Sequence, residues 1–283
     1  MPALKSAVSV FDPDLTPLPA VAHKLDFSAY EAEVPMHMHR KGQLILALHG
    51  AVTCIAANEI WIVPPNCGVW IPGGLPHSAR ATANARLIYL FVEPGAAKLP
   101  DTSCTLSISP MIREMVERLS EESSDYHADS HAARIARVLL DELASMPHER
   151  FNLPISAHPK IQAIADALTA LPSDRSTLSD WAKRVAMSDK SLARLVIRET
   201  GLSFGRWRQQ LHLIVALREL AAGETVQNVA AGLGYESVNA FITMFKKAMG
   251  STPAQYFAQR NVPTSSDRRD RPANAVRPGQ TQK

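Results

Sequence analysis

The chain has 283 residues with 46% apolar content and a formal net charge of +3, enough length and apolar matter for two domains with cores of their own. No apolar stretch approaches the roughly 20 residues that a bilayer span requires, and the start lacks a basic segment followed by an apolar run and a cleavage site. The expectation is a cytoplasmic protein with no membrane partner, and Cys54, Cys67 and Cys104, odd in number and without a C-x-x-C pair, argue against a disulfide framework or a zinc knuckle.

Charge is divided unevenly along the chain. Met1 to Pro154 carries 12 Lys and Arg against 17 Asp and Glu, Ile155 to Arg260 carries 13 against 8, and the tail from Asn261 carries 5 against 2. An acidic front and a basic back are expected where only the back meets a polyanion, because Lys and Arg neutralise phosphates; ordinary charge scatter is the alternative on charge alone.

From about Ala20 to Glu93 the runs "LILALHG", "AVTCIAA", "EIWIVPP", "GVWIPGG" and "ARLIYLFVE" are β-branched or aromatic and punctuated by Gly, Pro and Asn. Short strands at this spacing predict a small barrel or sandwich. Beyond Ser109 the apolar period lengthens, and "SPMIREMVERLSEES" and "DSHAARIARVLLDELASM" read as helices. Ile135, Val138, Leu139 and Leu143 share one face of the second, which packs on the barrel or against a second subunit in a homodimer. "PHERFNLPISAHP" has three prolines and no period, which predicts a domain linker. Lys160 to Gln259 is helical in pattern throughout, and the tail after it has almost nothing to bury, which predicts disorder. The expected α+β chain thus divides into a cupin-like β-barrel over 1–107, connector helices over 108–154, an all-α domain over 155–260 and a disordered tail over 261–283.

The helical half repeats itself. "TLSDWAKRVAMSDKSLARLVIRETG" and "TVQNVAAGLGYESVNAFITMFKKAMG" each give an amphipathic helix, a tight turn and a second helix opened by serine. Ala182 and Ala186 correspond to Ala230 and Gly234, small residues that let helices cross closely and the chain turn sharply. Ser188 and Ser237 stand at the N-cap positions. Two helix-turn-helix units are therefore expected, joined by a helix over "SFGRWRQQLHLIVALRELAAG". Second helices about 34 Å apart would enter successive major grooves of one duplex.

These residues resemble the AraC/XylS-type transcription regulators. The resemblance spans Lys160 to Gln259 and rests above all on "GYESVNAFITMFKKAMGSTPAQYF", Gly234 to Phe257, with its Gly-aromatic, Phe-Lys, Gly and Thr-Pro pattern. In that family the paired units bind double-stranded promoter DNA and act on RNA polymerase. By helical phase Asp189, Lys190, Ser191, Ala193 and Arg194 are exposed, while Leu192, Leu195 and Val196 are core. Arg194 suits a bidentate contact to guanine, and Lys190 a base or phosphate. On the second helix Val238, Asn239, Ile242 and Thr243 face outward. Asn239 suits adenine, and Thr243 or Val238 a thymine methyl group. Thr243 stands where family members often carry a longer polar or basic side chain, so this helix is expected to grip the backbone, with Ser237, Lys246 and Lys247 near phosphate.

In the front half, "VPMHMHRKGQLILALHG" places His37, His39 and Gln43 ahead of Gly50, and "PGGLPH" ends in His77. These resemble the two cupin motifs, in which histidines and a glutamate bind a metal. Gln43 stands where that glutamate is usual, and Ala81 where an asparagine is expected. No cofactor is therefore expected; His37, His39 and His77 are the candidates if a metal is held. Many AraC-type regulators carry such a barrel as an effector sensor, and the resemblance implies a small-molecule pocket lined by His37, His39, Gln43, Trp70 and His77, with Arg40 at the mouth able to pair with an anionic ligand. A metal-dependent cupin enzyme and a protein-binding scaffold are the rival readings; neither Glu59 nor Glu93 has a defensible place as a catalytic acid or base.

Overall fold

The computed structural model describes residues 11–26, 32–64, 67–149 and 152–258. The tail expected to be disordered lies outside them. Eight strands follow in quick succession: β1 (Ala20–Asp26), β2 (Ala32–His37), β3 (Gly42–His49), β4 (Val52–Ala56), β5 (Glu59–Val63), β6 (Cys67–Ile71), β7 (His77–Ala81) and β8 (Arg86–Val92), with β9 at Cys104–Ser107. Helices α1 (Pro110–Ser120) and α2 (His131–Ala144) come next, then the short strands β10 (His148–Glu149) and β11 (Asn152–Pro154). Every pairing is antiparallel. One sheet runs β1-β8-β3-β6-β9-β10, and the other runs β11-β5-β4-β7-β2.

The expected linker at residues 147–159 is partly sheet. Asn152 to Pro154 pair with Trp61 to Glu59, and His148 and Glu149 pair with Leu106 and Thr105, so each sheet gains an edge strand from this segment. Proline hid it: Pro154 ends the strand at a sheet edge, where a missing N–H costs little.

Opposed residues in an antiparallel pair share a face, so register sorts inside from outside. Gln43 opposes Ile71 and Phe91, and Ile45 opposes Val69 and Tyr89; these fill the space between the sheets. On the facing sheet Cys54 opposes Trp61 and Ala79, and Ala56 opposes His77. The outer face of the first sheet is also covered, which is why β3 is buried along nearly its whole length. Ile112, Val116 and Leu119 of α1 and Ala132, Ala136, Leu139, Leu140 and Leu143 of α2 belong to the same core. Val138 is 50% exposed and Ile135 only packs against the core from its margin, so the buried stripe of α2 is rotated towards its alanines relative to the expected face. Alanine supplies close approach there that the larger residues do not.

Seven helices follow: α3 (Pro159–Ala170), α4 (Leu178–Arg184), α5 (Asp189–Thr200), α6 (Phe204–Ala222), α7 (Val226–Gly232), α8 (Val238–Met249) and α9 (Pro253–Ala258). Helix α6, with 19 residues, is about 28 Å long. Ile214, Val215, Ala216 and Leu217 are buried in succession, because α6 is surrounded. Its core does not stop at the domain boundary. Ala51, Ile62 and Leu153 of the sheets join Trp181, Leu195, Trp207, Phe241 and Phe245 in one apolar cluster. Polar contacts seal the seam: Trp207 Nε1 donates to Pro154 O at 3.1 Å, and Asn84 Nδ2 donates to Ala221 O at 3.0 Å.

Candidate functional site

Two places concentrate function-bearing side chains. The first is a cup at the open end of the sheet pair. His37 opposes His77 across β2 and β7, and His39 lies just beyond the end of β2. Their rings form a triangle, with centroids 4.3 Å apart for His37 and His77, 5.0 Å for His39 and His77, and 5.9 Å for His37 and His39. One nitrogen of each lies within 4.8 Å of those of the other two. Each ring is held by a backbone carbonyl close in sequence: His37 Nδ1 donates to Pro35 O at 2.8 Å, His39 Nδ1 to Lys41 O at 2.6 Å, and His77 Nδ1 to Leu75 O at 2.9 Å. Gln43 reaches in from β3, its Oε1 lying 2.9 Å from His39 Nε2 and 2.8 Å from His77 Nε2. Burial first, and then the neighbouring His37 and His39, hold His77 down at about 4, so it is neutral near pH 7.

The cup thus brings together four of the six residues expected in the pocket. Trp70 is not among them. It opposes Leu44, one step out of phase with Gln43, and so faces away from the cup. Its Nε1 donates to Pro100 O at 2.7 Å, and its ring lies over Gly42, where a Cβ would collide with it. The expectation took the aromatic residue as inward without knowing the register, and a shift of one residue reverses a strand's faces. Arg40 does stand at the rim, but its guanidinium is paired with Glu93, and its backbone N–H donates to Asp14 Oδ2 at 2.6 Å. An anionic ligand would have to displace a carboxylate already in place.

Sequence reasoning missed several walls of the cup. Phe91 sits edge-on to His39 at 5.2 Å, and Phe11 leans on Phe91 from outside. The alternation of Leu87, Tyr89 and Phe91 in "RLIYLFV" was the available signal. Lys41 is 0% exposed, with Nζ donating to Leu18 O at 2.6 Å and lying 3.0 Å from Glu93 Oε2. Nothing in the sequence separates this buried lysine from its exposed neighbour. Deeper in, burial pushes the Cys54 thiol up to about 12, which makes it inert as a nucleophile. The three cysteines are buried and unbridged.

The second place is the helical pair. Thr177 and Thr225 cap α4 and α7, and Ser188 and Ser237 cap α5 and α8, each side chain accepting a backbone N–H three residues on. The turns match in detail. Met187 N–H donates to Ala182 O at 2.9 Å and Tyr235 N–H to Ala230 O at 3.0 Å, with Ala186 at φ 51° and Gly234 at φ 73°. Leu192, Leu195 and Val196 are core, as are Phe241, Met244 and Phe245. Lys190 and Arg194 are exposed on α5 and Ser191 is half-buried, its hydroxyl 2.9 Å from that of Ser188. On α8 Asn239, Thr243, Lys246 and Lys247 are exposed, but Val238 and Ile242 are half-buried against the helical core. Thr243 Oγ1 donates back to Asn239 O at 2.8 Å, which occupies its hydroxyl proton.

Residues 25–158 match the AraC-like ligand binding domain, and residues 181–259 match a helix-turn-helix domain. The chain is 49% identical over 249 residues to the HTH-type transcriptional regulator NimR of Escherichia coli (strain K12), a likeness covering 88% of this chain and 91% of that one. It is 28% identical over 122 residues to the HTH-type transcriptional regulator RipA of Corynebacterium glutamicum, covering 43% of this chain and 35% of that one. ToxT from Vibrio cholerae O395 overlays on 86% of this chain and 99% of its own at 10% identity and a TM-score of 0.38. Among the described residues no helix is long and apolar enough to cross a membrane. With a ligand-binding sheet pair in front of paired helix-turn-helix units, the chain belongs to the AraC-type family of DNA-binding transcription regulators.

Proposed function

We propose that this regulator acts in the cytoplasm without catalysis, reading promoter DNA with α5 and α8 and altering recruitment of RNA polymerase when a small molecule enters the cup. The observation that carries the reading is the repeated unit: two capped helices of equal length, each exposing polar residues, fixed on one 19-residue connector. In this reading Lys190, Ser191 and Arg194 read bases from α5, with Ser188 at its N-terminus against phosphate. Asn239 reads a base from α8, Thr243 and Val238 offer methyl contacts, and Ser237, Lys246 and Lys247 hold the backbone.

Coupling between cup and DNA has a physical path. Strand β5 turns Trp61 inward and Ile62 outward into the helical core, and β11 beside it meets α6 through the Trp207 hydrogen bond. A ligand that biases two positions of this strand pair would tilt α6 and both reading helices with it. The full-length protein is the right subject for the test, since the helical core includes barrel residues. Selection of bound fragments from genomic DNA should return a preferred sequence, and binding should weaken steeply with salt. Recovery of no preferred sequence would revive the protein-binding scaffold.

A further inference from the structure

We propose that Lys160 of α3 and Arg198 of α5, which line a groove beside the first reading helix, together hold a backbone phosphate of the bound duplex. This rests on the DNA-binding reading and carries the contact surface beyond the helix-turn-helix units, since Lys160 lies outside the matched residues 181–259.

The groove, about 580 Å3 in volume, lies between the start of α3 and one flank of α5, with His158 and Lys160 on one side, Ser191, Arg194 and Arg198 on the other, and no carboxylate in its lining. Ser191, Arg194 and Arg198 recur at intervals of three and four, which places them on one stripe of α5. Elsewhere in the helical half surface arginines are matched with acids: Arg175 with Glu236, Arg184 with Asp174 and Arg218 with Glu219. In the groove Lys160 Nζ reaches the Ala186 carbonyl at 3.4 Å, and Arg194 Nε that of Lys190 at 3.4 Å, with no carboxylate on either among the described residues. An ammonium has three hydrogens, so Lys160 keeps donors for an anion. Arg198 meets Glu199 through Nε and one terminal nitrogen, both at 3.0 Å, and Ser156 Oγ holds the other oxygen of that carboxylate at 2.7 Å. The guanidinium is thus oriented along one edge, and its second terminal nitrogen is left for a partner outside the chain.

The place of the groove selects the anion. Ser191 and Arg194 are base readers in the proposed function, and a reading helix meets base edges with its N-terminal residues. Arg198 lies four residues on, about 6 Å further along the axis, and Lys160 lines the groove with it, which puts both towards the rim where the phosphates run. Lys160 also rests on Ala186, the exposed residue at φ 51° in the first turn, so a phosphate held there fixes the angle of the unit on the duplex. The repeat supplies a control. Lys160, Met187 and Leu195 correspond to Arg208, Tyr235 and Met244, which line a groove of about 440 Å3 in the second unit. That groove also contains Asp174 and Glu236, and Arg208 donates to Ser176 O at 3.0 Å. Two carboxylates repel a phosphate, so only the first groove is fitted for one.

The test uses the full-length protein and a fragment that it selects, with affinity measured by fluorescence anisotropy across a series of salt concentrations. Lys160→Ala and Arg198→Ala should each weaken binding by roughly three- to tenfold, on the preferred fragment and its single-base variants alike, and lower the salt slope by about 1. Lys160→Arg should keep the wild-type slope, and so should Arg208→Ala at the matching place in the second unit. Fragments with a single methylphosphonate linkage, neutral where the phosphate is charged, then locate the contact. One such linkage should weaken the wild type and leave Lys160→Ala unaffected. If Lys160→Ala and Arg198→Ala both keep the wild-type affinity and slope, the clamp is overturned and the DNA-binding reading stands. A loss of affinity with the slope unchanged, or one confined to the preferred sequence, also overturns it, by assigning these residues to folding or to base reading. A wild type that selects no fragment overturns the DNA-binding reading, and the clamp with it.

Discussion

Between α4 and α5 the chain turns in four residues, Val185 to Ser188; between α7 and α8 it takes five, Leu233 to Ser237. Both turns pass through the left-handed region at the same step, yet the first does so with Ala186 and the second with Gly234. The difference is steric. A Cβ on Gly234 would lie 2.8 Å from Ser173 O, while the exposed Ala186 meets no such wall. The second unit is pressed against the α3–α4 loop at Gly234, and α9 packs on α8 through Tyr256 against Phe245. The first unit keeps Lys190 and Arg194 in the open. In the proposed reading the first unit carries the charged base reader and the second most of the backbone contacts.

Substitutions that separate packing from reading break this comparison most sharply. Gly234→Ala adds left-handed strain and a collision with Ser173, and should cost about 2–4 kcal/mol in denaturant unfolding. Arg194→Ala should leave stability unchanged but cost about 1–3 kcal/mol of operator binding and relax preference at one base pair, measured by titration against single-base variants. Lys246→Ala should instead weaken all sequences alike and lower the salt slope by about 1.

Acid should reach the second unit through His212. His212 of α6 stacks edge-on with Tyr235 at 5.7 Å, and burial, with help from the Arg208 charge, holds it down at about 4 from an ordinary 6.5. Unfolded chains bind the proton between these values and the folded chain does not. Stability therefore rises with pH from about 4 to 6.5 and is lost as pH falls through that window. His77 adds a change of the same sign in the cup. Thermal unfolding across this range should show the slope, and His212→Gln should flatten it. The smallest effect is expected at the first turn, where Ala186→Gly relieves strain and gains about 0.5 kcal/mol after its cost in the unfolded chain.

Much of this was legible in the residues. Spacing of Ala182 and Ala230 and of the capping serines fixes the repeat, because a sharp turn and a close crossing tolerate few residue types. Period also separated Leu192 and Leu195 from Lys190 and Arg194. What stayed hidden depends on partners distant in sequence. Whether Trp70 faces in or out is set by its register against Leu44, and Arg40 looks available until Glu93 is brought beside it. β11 was hidden for the same reason: three residues ending in proline become a strand only beside β5. The four cup residues were found from motif likeness, but the approach of Gln43 Oε1 to both His39 and His77 exists only in three dimensions.

The central claim is that α5 and α8 hold one face of a duplex through successive major grooves. Methylation-protection footprinting of the full-length protein on a selected fragment tests it directly. Two protected patches about one helical turn apart are expected, with Arg194→Ala removing a guanine contact from one and Lys246→Ala sparing the pattern. A single patch unchanged by Arg194→Ala would contradict the account.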